Sequence, residues 1–164
     1  MNGDEFDELE NEDTLKDKYL TFNLGGEQYG IDIQFVTEII GVQKITPVPN
    51  TPNFIRGVIN LRGKVIPIMD IRLRFALAER DYDDRTCVIV VTMGETFVGL
   101  VVDTVSEVVI IPENTVQNAP TRNSTEQEFI KGLGKYEEEI KILLDINKPL
   151  ATEHMEMVEG MAQT

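Results

Sequence analysis

Basic residues crowd one stretch of an otherwise acidic chain. Between residues 41 and 80 stand seven bases, Lys44, Arg56, Arg62, Lys64, Arg72, Arg74 and Arg80, opposed only by Asp70 and Glu79. A local net charge of +5 in a chain of net −14 could hold a carboxylate or a carbonyl. Arg62 is the sharpest case. It stands in Leu61-Arg62-Gly63, where a tight turn asks only for glycine. The guanidinium therefore reads either as a solubilising charge or as a recognition point for a carboxylate or a backbone carbonyl. Catalytic sets are harder to assemble. One histidine, His154, and one cysteine, Cys87, make neither a zinc set nor a Cys-His pair. No phosphate-binding loop or nucleophile-elbow motif occurs. Asp70 and Asp145 recur at matching places, as do Glu38 and Glu107. Capping of short helical turns explains the aspartates. A solvated strand position, or an ion pair with the basic stretch, explains the glutamates.

The elements that must carry these residues are short strands. Residues 54–75, FIRGVINLRGKVIPIMDIRLRF, read as two apolar strands around a turn at Gly63. Pro67 in the second strand argues for a sheet edge or a bulge, because proline donates no ladder hydrogen bond. Upstream, YLTFNL turns at Gly25-Gly26 into a return strand over 28–33. FVTEII at 35–40 follows, after a short helical turn or as a strand in which Val36, Glu38 and Ile40 share a face; its β-branched content favours the strand. Three prolines in 46–52 make an extended connection. Asp70 is expected to cap a short helical turn, and residues 79–86 form a polar linker. Strands over 87–93, 97–103 and 105–111 come next, then a polar loop over 113–127. Two further strands follow, and a second helical turn opens at Asn147.

This series is a duplication. Residues 30–40 match 99–109 at an offset of 69, and 54–57 and 68–71 match 129–132 and 143–146 at an offset of 75. Two units, 19–75 and 88–150, result, each with about five strands, the pattern of a small closed barrel. One such barrel is marginally stable alone, so two are expected to pack together and to leave a groove between them.

The remaining charge lies in the tails. Residues 1–18 carry net −6 and read as a flexible acidic tail with no assigned role; residues 151–164 carry net −3 and read as a tail or short helix. The acidic balance argues against nucleic acid. No run reaches the length of a membrane span and no secretory signal opens the chain. The single cysteine fits a reducing cytoplasm, and Cys87 is expected to be a small buried hydrophobe.

The segments YGIDIQFVTEI, TPNFIRGVINLRGKVIPIMDIR, VGLVVDTVSEV and FIKGLGK with ILLDI resemble, in order and spacing, the CheW family of bacterial chemotaxis coupling proteins. The resemblance covers residues 19–150. It implies an all-β fold of two intertwined five-stranded SH3-like barrels around a shared hydrophobic interface, with no catalysis and no cofactor. It implies a cytoplasmic adaptor, associated with membrane receptor arrays through its partners. Those partners would be the cytoplasmic tips of chemoreceptors (methyl-accepting chemotaxis proteins) and the regulatory domain of the histidine kinase CheA. Receptor-binding positions carried over by the resemblance are Val36, Glu38, Gly57, Arg62, Gly99, Val105 and Val108. The valines would form an apolar groove for an amphipathic helix, the glycines would allow close backbone approach, and Arg62 could pair with Glu38. Kinase contacts are expected around Ile39, Ile40 and Val42. Two other readings stay open: a CheW-like module detached from a larger signalling protein, and a small-molecule-binding β-barrel. The length and the start at Met1 favour a stand-alone adaptor.

Overall fold

The computed structural model describes residues 15–118 and 129–146. The expected helical turn at Asn147, His154 and most of both tails lie outside them. Ten strands run β1 (Lys18–Leu24), β2 (Glu27–Asp32), β3 (Val36–Gly41), β4 (Ile55–Leu61), β5 (Lys64–Asp70), β6 (Cys87–Met93), β7 (Thr96–Val102), β8 (Thr104–Ile110), β9 (Ile130–Tyr136) and β10 (Glu139–Leu144). One helical turn, α1 (Ile71–Arg74), follows β5. Its N-cap is Asp70, whose Oδ1 accepts from the Leu73 N–H at 3.3 Å. No helix among the described residues is long and apolar enough to cross a membrane.

The strands form two five-stranded sheets curled as barrels. A central barrel has the order β3-β6-β7-β5-β4, and a terminal barrel has the order β8-β1-β2-β10-β9. Neither is built from one repeat unit. The central barrel joins β3–β5 of the first unit to β6 and β7 of the second, and the terminal barrel takes the other halves. The pairings repeat with the offsets. β2 lies parallel to β10 through Gly30↔Leu143, and β7 lies parallel to β5 through Ile68↔Gly99. The chain crosses between barrels twice, through a 3-10 turn at Ile33–Phe35 and through Asp103.

Exchange of strands explains why runs such as CVIVV are apolar on both faces. Along β6, Val88 and Val90 point into the central barrel with Ile59, Ile66 and Ile68. Ile89 and Val91 point the other way, into a cluster shared by both barrels with Phe22, Leu24, Phe75 and Phe129. The terminal barrel's own core is smaller: Tyr19, Val109, Ile111 and Leu143. The ring pairs Phe22–Tyr29, Tyr29–Phe75 and Phe75–Phe129, with centroids 5.6–5.8 Å apart, chain aromatics through the shared cluster.

Pro67 is not at a sheet edge. It lies on β5, which is flanked by β7 and β4. Pro67 faces Val58, whose N–H and C=O both bond Thr46 on the far side. The Val58↔Pro67 pair therefore exchanges no hydrogen bonds, and proline's missing donor points toward β7. There the parallel ladder begins only at Ile68. The proline sits where no ladder bond is required.

Candidate functional site

The β4–β5 turn places Arg62. Leu61 pairs with Lys64, which leaves Arg62 and Gly63 as a two-residue loop with φ 51° and 85°. Both residues are left-handed, the pattern of a type I′ hairpin, and Asn60 Oδ1 accepts from the Gly63 N–H at 2.9 Å. Arginine is a costly choice at such a φ. Its side chain is 70% exposed and its Nη2 donates to Glu38 Oε1, on a side chain that is 27% exposed. Thr37, Leu61, Lys64 and Phe97 join this pair around a cavity of about 110 Å³, with Lys64 Nζ 4.9 Å from the Phe97 ring centroid.

Val36, Glu38 and Ile40 share the half-buried face of β3, and Thr37, Ile39 and Gly41 face out. A bulge between Val36 and Glu38 interrupts the pairing with β6. On β8 the equivalent irregularity leaves Ser106, Glu107 and Val108 exposed. Thr21 Oγ1 fills it, donating to the Glu107 carbonyl and accepting from its N–H at 3.1 Å. Val108, 49% exposed, and Ile39, 43% exposed, are equivalent under the 69-residue offset, so each barrel presents an apolar residue at the same place.

The structure thus brings Val36, Glu38 and Arg62 together on the central barrel and sets Val105 and Val108 on the terminal barrel. Val36 and Val105 both flank the shared cluster, and Val108 faces out. Gly57 and Gly99 are interior. A Cβ on Gly57, whose φ is 138°, would lie 2.1 Å from the Thr46 carbonyl oxygen. One on Gly99 would lie 2.6 Å from Ile68 Cδ1 and 2.7 Å from Val88 Cγ1. Their roles in the structure are close backbone approach and barrel packing. Of the three residues expected to meet the kinase, only Ile39 is exposed; Ile40 and Val42 pack on the central barrel core. Cys87 is half-buried beside the shared cluster, its Sγ 3.4 Å from the Arg85 carbonyl oxygen.

The basic stretch is largely spent within the fold. Arg56 Nη2 donates to Glu79 at 2.8 Å. The Arg74 guanidinium lies 4.1 Å from the Phe129 centroid and 4.9 Å from that of Phe54. Arg72 grips Asp103 with two hydrogen bonds, of 2.7 and 3.0 Å, and donates to the Ala78 carbonyl at 2.7 Å. Asp103 also accepts from the Gly25 N–H at 3.0 Å and meets Arg80 at 3.2 Å. Burial pushes the Asp103 carboxyl up, but hydrogen bonds from Arg72 and Gly25 and the charges of Arg72 and Arg80 outweigh it, and the group is held below the usual carboxylate value. This cluster ties α1, the β1–β2 turn and the second crossover together. Sequence reasoning missed it, because Asp103 lies outside the window in which the charges were counted.

The CheW-like domain family matches residues 18–154. The chemotaxis protein CheW of Klebsiella aerogenes is 43% identical over 153 residues, covering 93% of this chain and 92% of that protein. CheW of Bacillus subtilis is 33% identical over 138 residues, 84% of this chain and 88% of the relative. The crystal structure of the scaffolding protein CheW from Thermoanaerobacter tengcongensis matches with a TM-score of 0.78 at 34% identity, covering 84% of this chain and 94% of that one. The chain belongs to the CheW-like family of chemotaxis proteins.

Proposed function

We infer that this chain, a chemotaxis adaptor, couples the cytoplasmic tips of chemoreceptors to the regulatory domain of the histidine kinase CheA. The observation that carries the reading is the family match over residues 18–154, which spans both barrels. The surface supports it. Arg62 and Glu38 stand as an exposed pair beside half-buried Val36, and Val105 and Val108 offer apolar contact on the second barrel. Receptor helices would dock on these residues, and the kinase domain would meet the outer face of β3 at Ile39, with Ile40 and Val42 behind it. Gly57 and Gly99 would act indirectly, by shaping the strands beneath the contact. The adaptor works in the cytoplasm, performs no catalysis and reaches the membrane only through its partners.

Reconstituted coupling of receptor to kinase activity tests this directly. Arg62→Ala is expected to impair coupling while the melting temperature stays within a few degrees of the parent. Unimpaired coupling, or collapse of the fold, would remove Arg62 from the contact.

A further inference from the structure

The chain crosses between the barrels twice, and the two crossings are tied differently. The offset of 69 makes Gln34 of the first the counterpart of Asp103 of the second. Gln34 is exposed, and its side chain bonds Asp32, two residues away. Asp103 is 8% exposed, and its carboxylate takes hydrogen bonds from both barrels. Arg72, on α1 beside the central barrel, donates through Nε to Oδ1 and through Nη2 to Oδ2. The Gly25 N–H, from the β1–β2 turn of the terminal barrel, donates to Oδ2.

What else joins the barrels is mostly apolar. Leu20 and Phe22 of the terminal barrel share one cluster with Ile89 and Val91 of the central barrel. Apolar burial is non-directional: it resists separation of the barrels and leaves their angle to directional contacts. A guanidinium forked over a carboxylate is such a contact, because two parallel bonds fix its geometry. The turn rests on that fork. A Cβ built on Gly25 would lie 3.9 Å from Arg72 Nη2 and 3.7 Å from Leu77 Cδ1. The main chain is held at the same corner. The Asp103 N–H donates to the Asn23 carbonyl at 3.1 Å, and Asn23 Nδ2 donates to Thr104 Oγ1 at 2.8 Å. β8 leaves this corner at Thr104 as an edge strand that pairs with β1. Val105 and Val108 lie on it, whereas Val36, Glu38 and Arg62 belong to the central barrel.

We propose that Asp103 is a positioning residue for the receptor site: clasped by Arg72, it sets the angle between the barrels and so the spacing of Val105 and Val108 from Arg62. The effect on receptor binding rests on the adaptor reading; the effect on the angle does not.

Residual dipolar couplings of the backbone N–H groups of the full chain, fitted barrel by barrel, measure the angle. Arg72→Lys keeps the charge and loses the fork. It is expected to turn one barrel against the other by several degrees while each barrel still fits its own parent geometry. Affinity for a receptor cytoplasmic-tip fragment is expected to fall about tenfold, measured well below the melting temperature. Asp103→Asn is expected to act in the same direction and serves if Arg72→Lys does not fold. Arg56→Lys makes the same exchange at an ion pair within the central-barrel side, with Glu79, and should change neither angle nor affinity. An unchanged angle in Arg72→Lys and Asp103→Asn would overturn the proposal, and so would a changed angle with parent-like affinity. If the parent itself bound no fragment, the adaptor reading would fall, and the angle would still decide whether Asp103 orients the barrels.

Discussion

Two hairpin tips 75 residues apart share a backbone and differ in charge. Leu61-Arg62-Gly63-Lys64 joins β4 to β5, and Tyr136-Glu137-Glu138-Glu139 joins β9 to β10. Each turns on two left-handed residues, with φ 51° and 85° at the first tip and 48° and 69° at the second. The hairpin fixes φ and leaves the side chains open. At the first tip the arginine engages Glu38 on β3. At the second, Glu139 accepts from the buried Lys141 at 2.9 Å, two residues along its own strand. Glu107, the counterpart of Glu38, is exposed and is held through its main chain by Thr21. What the copies share is folding; where they diverge, the fold's demands are already met. The basic tip is therefore the candidate for recognition, and the acidic tip is its internal control.

The copies can be set against each other by substitution. The largest difference is expected at the paired glycines. Gly57→Ala forces a Cβ onto the Thr46 carbonyl at a φ of 138° and should cost about 4 kcal/mol. Gly132→Ala meets Val116 Cγ1 at 2.6 Å and the Gln117 carbonyl oxygen at 2.7 Å without the left-handed strain, and should cost about 2 kcal/mol. Urea midpoints check this, and equal losses would dissolve the contrast.

The two crossovers come next. The first packs Ile33 and Phe35 on the shared cluster, and its side-chain hydrogen bonds are local, Asp32 accepting from the Gln34 main chain and side chain at 3.1 and 2.9 Å. The second is held across the molecule by Asp103. Asp103→Asn should destabilise by about 2 kcal/mol, and Gln34→Ala by less than about 0.5 kcal/mol. Because the folded Asp103 carboxyl is held below its ordinary value of 3.8, its contribution is present above that pH and is lost as the pH falls through the depressed folded value. Stability measured from pH 6 downward should decline less steeply in Asp103→Asn than in the parent.

Binding substitutions are smaller still. Val108→Asp places a carboxylate on the proposed docking face and should weaken receptor binding by roughly tenfold, about 1.4 kcal/mol, with the fold kept. Titration calorimetry reads it, and unchanged affinity would clear β8 of contact. Arg62→Asn should raise stability by up to about 1 kcal/mol while coupling falls, since asparagine suits the turn and lacks the charge. Lower stability would mean that the ion pair with Glu38 outweighs the backbone strain.

Much of this fold was legible in the chain. Apolar alternation and glycine pairs gave the strands and turns, because those signals are local. The offsets of 69 and 75 reappear in the register of every strand pair, and Asp70 caps α1 as its position implied. What escaped depends on contacts distant in sequence. Nothing in the spacing says whether β2 lies beside β5 or β10, so the exchange of strands between barrels had to be seen. Pro67 argued for an edge or a bulge because its partner's hydrogen bonds to Thr46 were invisible; the pairing of β4 with β5 does shift register beside it, between Ile55 and Gly57. The +5 count over 41–80 implied a free basic patch, yet Arg72 is taken by Asp103 and Arg74 lies over Phe129. Only at Arg62 did the residue type, the turn and the pair with Glu38 agree from the start.

The proposed receptor site is the basic tip with Val36 and Val108, apart from the proposed kinase surface. The most direct measurement is an amide NMR titration of the labelled chain, first with a receptor cytoplasmic-tip fragment and then with the CheA regulatory domain. Two separate sets of shifts are predicted, the receptor's around Val36, Arg62 and Val108 and the kinase's reaching Ile39. Receptor shifts centred on Glu137 to Glu139, or one set of residues moved by both partners, would contradict the account.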